Sequence, residues 1–324
     1  MTRHLMRFTR LMLCTTALIT PGLAGAAEYP SRPIRFVVGF SAGGPADILA
    51  RIIGQKLAES WRQQVVVDNR PGAGGNIAGE IVSRASPDGY TLYMANIGHA
   101  VNPSLYSSLP FDPVRNFVPI VLAASQPLLL STHPGVPANS VQDLIALAKR
   151  EPGKLNFGSA GNGSGGHLAG EYLKLLTGID LVHIPYKGSP PAMQDLLAGQ
   201  IKLMFDGLPS SLPLARSGKT RALGVSSRER SPVAPDIPAI AETVPQYEAY
   251  GWNGVLAPAG VPPRLVEIIN AEVNRILQLP DVGAQLEKLG FQSKGGSSRE
   301  FASFLGQEMK KWSEVIKRAG IRAG

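Results

Sequence analysis

Glycine-rich segments that join a short strand to an amphipathic helix are the feature that most restricts how this chain can fold. The clearest runs from Leu155 to Leu176 (LNFGSAGNGSGGHLAGEYLKLL), where a strand passes through Gly, Ser and Asn into a helix with one apolar face. Ile34 to Leu57 repeats the pattern around the loop Gly39 to Pro45 (GFSAGGP). Each junction directs unpaired backbone N–H groups and the positive end of a helix dipole toward one point. Two such junctions predict a cleft that holds an anion from both sides.

Strands and helices alternate along most of the chain. Gln64 to Asp68 (QVVVD) predicts a second strand, Asn69 to Gly79 (NRPGAGGNIAG) a further Gly-rich turn into a helix, and Tyr90 to Ala95 a third strand. Asn96 to Pro119 is expected to be a loop, because it is rich in Pro and polar residues. The alternation is typical of βαβ units, in which ligands bind beyond the carboxyl ends of parallel strands. The predicted fold class is therefore α/β, with the Gly-rich loops at the binding edge.

The order of these segments predicts two domains joined by two crossings of the chain. Residues 28–122 and 251–324 are assigned to a first, discontinuous α/β domain, and residues 123–250 to a second α/β domain. Amphipathic helices at Pro263 to Leu277 and at Ser298 to Ile316 are expected to complete the first domain. Two crossings are an arrangement that allows hinge motion.

The first 27 residues have the composition of a secretory signal peptide. Arginines precede the apolar run Leu11 to Ile19, and Ala24 to Ala27 (AGAA) ends it with small residues. This pattern predicts cleavage after Ala26 or Ala27 and export to the periplasm. The apolar run is too short to cross a bilayer. Because Cys14 is the only cysteine, the mature chain is expected to contain no disulfide.

The charge of the chain gives little support to a nucleic-acid partner. The formal charge is +8, and removing the three arginines of the predicted signal lowers it to +5. Basic residues are scattered, apart from Lys310-Lys311 and Lys317-Arg318 on a predicted exposed helix face. Nucleic-acid binding needs a stripe of Lys and Arg with interleaved aromatic residues. That pattern is absent, so no nucleic-acid partner is predicted.

Two short motifs raise alternatives to simple binding. Gly39 to Gly43 (GFSAG) matches the nucleophile elbow G-x-S-x-G, so an exported serine hydrolase using Ser41 is kept as the alternative function. An α/β-hydrolase, however, places several strands before its elbow. Residues 161–166 match G-x-G-x-x-G, but the next strand ends in Tyr186 and Lys187, where a dinucleotide site needs an acid.

Titratable side chains give no catalytic or metal-binding set. The histidines that follow the signal lack metal-ligand spacing, and no Cys can join them: His99, His133, His167 and His183. Since a paired acid and base is also missing, the chain is predicted to be no enzyme and to carry no metal and no cofactor. Four side chains are candidates for the cleft, each with packing, capping or solvation as the structural alternative: Asp47, His167, Lys187 and Asp206.

Longer segments follow one another over nearly the whole mature chain: FVVGFSAGGPADILAR, VVVDNRPGAGGNIAGEIVSRASPDGYTLYMAN, HAVNPSLY, GSAGNGSGGHLAGEYLK, VHIPYKGSPPAMQDLLAGQI and LMFDGLPSSLPLARSGKTRALGVSSRERSP. They resemble the Bug family, the periplasmic substrate-binding proteins associated with tripartite tricarboxylate transporters. The resemblance implies a two-domain periplasmic-binding-protein fold of the Venus-flytrap type with two crossover segments. It also implies a small carboxylate ligand, namely a di- or tricarboxylate, an acidic amino acid or an aromatic carboxylate, held by backbone N–H groups and ordered waters.

The resemblance also assigns the site. The loop Phe40 to Asp47 would hold one carboxylate group, and Ser159 to His167 would face it from the second domain. The predicted ligand-binding residues are Phe40, Ser41, Ala42, Gly43, Gly44, Asp47, Asn96, His99, Ser159, Gly161, Asn162, Gly163, Ser164, His167, Tyr186 and Asp206. The predicted function is capture of a small carboxylated metabolite by a periplasmic monomer, which delivers it to membrane transporter subunits or signals through a sensor kinase.

Overall fold

The computed structural model describes residues 29–321, so the predicted signal peptide and its cleavage site lie outside the described residues. The strands are β1 Ile34–Val38, β2 Val65–Asn69, β3 Thr91–Asn96, β4 Phe117–Thr132, β5 Asn156–Ser159, β6 Val182–Pro185, β7 Leu203–Gly207, β8 Arg221–Val225, β9 Tyr250–Pro258 and β10 Gln292–Ser293. The α-helices are α1 Pro45–Trp61, α2 Asn76–Ser83, α3 Ile97–Leu105, α4 Val141–Arg150, α5 Gly165–Thr177, α6 Ser189–Leu197, α7 Leu208–Arg216, α8 Pro263–Leu277, α9 Pro280–Lys288 and α10 Ser298–Ala319. Short 3-10 turns lie at Ala73–Gly75 and Ile240–Glu242.

Eight strands follow one path, in the order β2-β1-β3-β9-β4-β7-β5-β6, and β8 and β10 each pair with β4 beside that path. The β1, β2 and β3 strands are parallel, as are β5, β6 and β7, which confirms the predicted βαβ units. The long strand β4 is antiparallel to β9 from Phe117 to Pro127, and from Leu128 onward it pairs with β7 and β8. We call the part built on β1, β2, β3, β9, β10 and the first part of β4 the first lobe. The second lobe is built on β5 to β8 and the end of β4.

Apolar strands with both faces buried explain why helices cover each side of the first-lobe sheet. In β1, Phe36 and Val38 face a core shared with α1 and α8, whereas Val37 faces a core shared with α2, α3 and α10. A continuous apolar run such as IRFVV is what a parallel strand covered on both faces requires. The second lobe has its own core, in which Phe157 of β5 and Phe205 of β7 pack with α4 and α5.

Local sequence signals placed several elements correctly. The predicted bounds of β1 and α8 agree with the structure, and Ser140 caps α4 by accepting a hydrogen bond from the Asp143 amide. The prediction of a loop from Asn96 to Pro119 was wrong for the part that forms α3. Asn96 caps this helix by accepting from the Gly98 amide, and Pro103 lies inside the helix, in its last turn.

The division at residues 122/123 and 250/251 remains a prediction. The change of partner along β4 lies at Pro127 and Leu128, a few residues beyond the first predicted boundary. Near the second boundary, Tyr250 begins β9, which pairs with β3 and β4 in the first lobe. Both crossings therefore lie beside each other, at the base of the space between the lobes.

A methyl group at Gly170 is expected to destabilise the fold, because α5 packs closely on β5 there. An ideal Cβ at Gly170 would lie 2.3 Å from Cε2 of the buried Phe157 ring. We expect Gly170→Ala to lower the free energy of unfolding by about 1 to 3 kcal/mol, since overpacking forces the ring or the helix to move.

Gly306→Ala is the matched control in α10. Gly306 is exposed, and an added methyl would meet no described atom within 4 Å. This variant should gain up to about 1 kcal/mol from helix propensity. Urea unfolding at neutral pH measures the change in free energy of unfolding for Gly170→Ala and for Gly306→Ala. Equal changes at the two positions would contradict the packing argument.

Candidate ligand-binding cleft

A cavity of about 60 Å³, counted as space open to the centres of water molecules, lies between the lobes. Its lining comes from both lobes and both crossings: Phe40, Gly44, Pro45, Ala46, Asn96, Ile97, Gln126, Leu128, Ala160, Ser164, Gly165, Gly166, Ser189, Phe205, Asp206, Gly207, Gly251, Trp252 and Asn253. About 10 to 15 Å³ of such space holds one water molecule. The cavity therefore has room for several waters or for a small organic ligand.

Five helix N-termini meet at this cavity. Each contributes lining residues at or just before its first turn: Gly44 to Ala46 for α1, Asn96 and Ile97 for α3, Ser164 to Gly166 for α5, Ser189 for α6 and Gly207 for α7. A helix N-terminus carries the equivalent of about half a positive charge and unpaired N–H groups. Their convergence makes the cavity favourable for an anion even though, among residues 29–321, no lysine or arginine lines it.

Backbone amides in α1 and α5 are available to such an anion. Ala46, Gly165 and Gly166 line the cavity, and none of their amides bonds an acceptor within the described chain. Neighbouring donors are already used, because the His167 amide donates to Ser164 Oγ and the Ile48 amide donates to the Gly44 carbonyl. These three N–H groups are therefore among the backbone donors that we assign to the site.

Side-chain amides from the crossings add donors to the cavity wall. Asn253 of β9 donates to Gln126 Oε1 of β4 at 3.3 Å, an arrangement that leaves the Gln126 NH₂ group available. Asn96 uses its Oδ1 to cap α3, which likewise leaves its NH₂ group available at the cavity. Trp252 forms an apolar wall, since its indole N–H donates to Glu308.

Asp206 is the only titratable side chain among the described lining residues. It is the next-to-last residue of β7 and is 5% exposed. Burial raises the pKa of this carboxyl group, and hydrogen bonds from Ser189, Ser210 and the Gly207 amide offset part of that effect. The cavity thus combines amide donors with one carboxyl acceptor.

Of the predicted binding residues, five line the cavity: Phe40, Gly44, Asn96, Ser164 and Asp206. Others lie in the surrounding loops where the lobes touch: Ser41, Ala42, Gly43, Gly161, Asn162 and Gly163. The remaining side chains bond or pack elsewhere: Asp47, His99, Ser159, His167 and Tyr186. The binding role of the last two groups remains a prediction.

Asp47 and His99 show why a position near the cleft does not place a side chain in it. Asp47 turns back into the first lobe and accepts bonds from Arg51, Asn69 and the Gly43 amide. Burial acts to raise its pKa, but these hydrogen bonds outweigh burial and lower it. The buried His99 ring lies in an aromatic cluster and bonds the Pro113 carbonyl, and burial lowers its pKa to about 4.

Tyr186 also bonds away from the cavity, since its hydroxyl donates to Asp195. The residues that sequence reasoning missed lie mainly on the crossings, above all Gln126, Trp252 and Asn253. Ser189 was missed as well, although its place at the N-terminus of α6 was a usable local signal.

A pair of stacked histidines supports the glycine loop before α5. The rings of His167 and His183 are stacked, with centroids 4.1 Å apart. Ser159 Oγ lies 2.7 Å from His183 Nε2, and the Gly163 amide donates to His167 Nδ1. Because His167 Nδ1 must accept this bond, the loop geometry requires a His167 ring that is unprotonated at Nδ1.

Acid is expected to destabilise the protein through this pair. Burial lowers the pKa of His167 to about 4 and that of His183 to about 3. In the unfolded chain these two histidines bind protons at about pH 6.5. Their contribution to the free energy of unfolding is therefore fully present above that pH and is lost as the pH drops toward 4. We expect His167 to account for about 2 kcal/mol of loss between pH 7 and pH 5.

Urea unfolding of the wild type and of His167→Gln at both pH values measures this contribution. The variant should lose about 2 kcal/mol less than the wild type on acidification. The same pH dependence in both proteins would contradict the assignment.

The lobes touch on both sides of the cavity. On one side, the Ser41 hydroxyl donates to the Lys187 carbonyl at 2.7 Å. On the other, an ideal Cβ at Gly74 would lie 2.2 Å from the Asn162 carbonyl oxygen. The Ser41 contact also bears on the hydrolase alternative, because the hydroxyl proton is directed at a carbonyl and, within residues 29–321, no histidine ring bonds to it. That alternative gains no support.

Comparison with known proteins decides the family. The model of the tripartite tricarboxylate transporter family receptor matches residues 49–321. The chain belongs to this receptor family. The receptor also shares its architecture with solved structures, which confirms the predicted two-domain periplasmic-binding-protein fold with two crossover segments and the resemblance to the Bug family.

Three solved structures illustrate the similarity of this receptor to known proteins. R. palustris Rpa4515 with adipate is 38% identical with a TM-score of 0.89, over 91% of this chain and 99% of that chain. The periplasmic binding protein BugD is 34% identical with a TM-score of 0.87, over 91% and 99%. MatC (Rpa3494) from Rhodopseudomonas palustris with bound malate is 32% identical with a TM-score of 0.85, over 89% and 100%.

Two further properties of the receptor concern only residues 29–321. None of the helices in that range has the length and apolar character needed to span a bilayer. In the same range, no three His, Cys, Asp or Glu side chains are grouped as a metal site would require.

Proposed function

We propose that this receptor captures a small carboxylate in the cavity between its lobes. The observation that carries the proposal is the convergence of five helix N-termini on one cavity without a lysine or arginine in its described lining. Backbone amides at Ala46, Gly165 and Gly166 would bond the carboxylate oxygens. Each charge-assisted hydrogen bond contributes about 1.5 to 3 kcal/mol. The adipate and malate of two similar structures support this class of ligand.

The two lobes would close over the ligand by motion about the adjacent crossings. Contacts between Ser41 and Lys187, and between Gly74 and Asn162, flank the cavity and would form on closure. Such closure excludes water from the amides and strengthens their interaction with the anion.

A thermal-unfolding screen tests the binding role. The chain from Glu28 is heated with di- and tricarboxylates, acidic amino acids and aromatic carboxylates, each at millimolar concentration. A ligand at about 100 times its dissociation constant adds about 2.7 kcal/mol to the folded state, which raises the midpoint by several degrees. No shift with any carboxylate, from protein shown by mass spectrometry to carry no copurified ligand, would refute the proposal.

We further propose export to the periplasm as a monomer, with delivery of the ligand to membrane transporter subunits. N-terminal sequencing of the exported chain should find Ala27 or Glu28 first. Deleting the gene should abolish uptake of the ligand that the screen identifies. Intact uptake with loss of ligand-induced transcription would instead show a sensor role through a membrane kinase.

A further inference from the structure

Asp206 has bonding capacity that the protein itself does not use. Its Oδ1 accepts from Ser189 Oγ at 2.6 Å, and its Oδ2 accepts from Ser210 Oγ. A carboxylate has about four lone-pair sites, so capacity remains for a further donor. Because Asp206 lines the cavity, that donor would come from the ligand.

The position of Asp206 places it beside the proposed carboxylate-binding amides. An ideal Cβ on Gly207 would lie 2.6 Å from Pro45 Cγ, so the N-terminus of α1 packs directly against the residue after Asp206. An ideal Cβ on Gly166 would lie 2.3 Å from the Phe205 carbonyl oxygen, so α5 begins against the residue before it. A ligand carboxylate at the Ala46 and Gly166 amides would therefore have Asp206 as its neighbour.

This arrangement penalises a ligand that brings only acceptors to Asp206. Two carboxylates facing each other in a buried cavity repel, and the remaining lone pair of Asp206 would lose water without gaining a partner. A hydroxyl or ammonium group next to the ligand carboxylate would instead donate to Asp206, in a hydrogen bond strengthened by the negative charge.

We propose that Asp206 accepts a hydrogen bond from a hydroxyl or ammonium group on the carbon next to the ligand carboxylate. The site then selects 2-hydroxy or 2-amino carboxylates over unsubstituted ones of the same length. The inference rests on the proposed function and specifies the substrate class of the same cavity.

Isothermal titration with matched sets tests the selection. The sets are succinate, malate and aspartate; glutarate, 2-hydroxyglutarate and glutamate; and adipate, 2-hydroxyadipate and 2-aminoadipate. In the set that fits the cavity, a substituted member should bind at least about tenfold more tightly than the unsubstituted one. Comparing the hydroxy with the amino member identifies the donor.

Variants assign the preference to Asp206. Asp206→Asn should reduce the preference to less than about threefold, because a neutral amide no longer offers a charged acceptor. Asp180→Asn, an exposed acid of the same lobe, makes the same charge change and should keep the wild-type preference. Unfolding curves establish whether both variants are folded. If Asp206→Asn is unfolded, the comparison of substituted and unsubstituted ligands on the wild-type protein decides the test.

The outcomes separate this inference from the proposed function. Equal or tighter binding of the unsubstituted members overturns the selection by Asp206 while carboxylate capture stands. A preference that persists in folded Asp206→Asn also overturns it. Failure of every carboxylate to bind overturns the proposed function and this inference together.

Discussion

Replacing Gly165 by proline is expected to weaken carboxylate binding about 10- to 100-fold compared with Gly165→Ala. Gly165 is the first residue of α5, lines the cavity, and has an amide without an acceptor among residues 29–321. Proline removes this N–H and puts ring carbon in its place. Losing one charge-assisted hydrogen bond costs about 1.5 to 3 kcal/mol, and each 1.4 kcal/mol is a factor of ten in affinity.

The fold should tolerate this proline. The first helical position is favourable for proline, because its N–H makes no bond within the helix and its φ is already helical. The residue before a proline must be extended, and Ser164 has φ −69° and ψ 159°. An added Cβ would lie 3.6 Å from Leu128 Cδ1, an ordinary van der Waals contact.

Gly165→Ala is the matched control, since it adds the same Cβ and keeps the N–H. The free energies of unfolding of the two variants should agree within about 1 kcal/mol. Titration calorimetry, with the carboxylate that gives the largest thermal shift, compares their dissociation constants. Values within twofold of each other, in two folded variants, would show that the Gly165 amide does not bind the ligand.

The glycine loops could be read from the sequence because their signals are local. The local pattern is a strand, then a run of Gly and Ser, then an amphipathic helix. This pattern locates the helix N-terminus and its unpaired backbone amides without information from distant parts of the chain. Gly44 and Ser164 accordingly line the cavity, and the strands beneath them are parallel. The helix α3 was missed because Pro103 and its polar neighbours conceal a short helix whose cap, Asn96, was the only clear signal.

The cavity-lining residues on the two crossings could not be predicted from local sequence patterns. Gln126 and Asn253 meet across 127 residues of sequence, through an antiparallel register between β4 and β9 that shifts twice. No short pattern encodes such a register, because it depends on which strands become neighbours. Trp252 lies on the same strand and reaches the cavity for the same reason.

Side-chain direction was the other limit. Asp47 and the Gly-rich loop are close in sequence, but Arg51 and Asn69 draw the carboxylate back into the first lobe. His167 packs beneath its loop against His183, a residue that the pattern gave no reason to pair with it. These outcomes depend on partners from other elements, which a local motif does not specify.

A methyl group at Gly74 is expected to weaken ligand binding about 10- to 100-fold by opposing closure of the lobes. Gly74 belongs to the first lobe, and its ideal Cβ would lie 2.2 Å from the Asn162 carbonyl oxygen in the second. Backbone atoms cannot rotate away as a flexible side chain can, so the lobes would have to separate. If only the closed arrangement binds tightly, apparent affinity falls in proportion to the closed fraction.

The backbone conformation of Gly74 requires a control of its own. Its φ of +63° is left-handed, so alanine costs about 1 to 2 kcal/mol there even without a clash. Gly178 has φ +67°, and an added Cβ would meet no described atom within 4 Å. Gly178→Ala therefore carries the same backbone strain without touching the other lobe.

The two variants should lose similar stability but differ in binding. Urea unfolding without ligand should give free energies within about 1 kcal/mol of each other, whereas titration should show the 10- to 100-fold loss of affinity only for Gly74→Ala. Small-angle scattering with saturating ligand should show a larger radius of gyration for Gly74→Ala than for Gly178→Ala. Equal affinities would mean that the contact between Gly74 and Asn162 is not part of the ligand-bound form, and that closure uses the Ser41 side of the cleft alone.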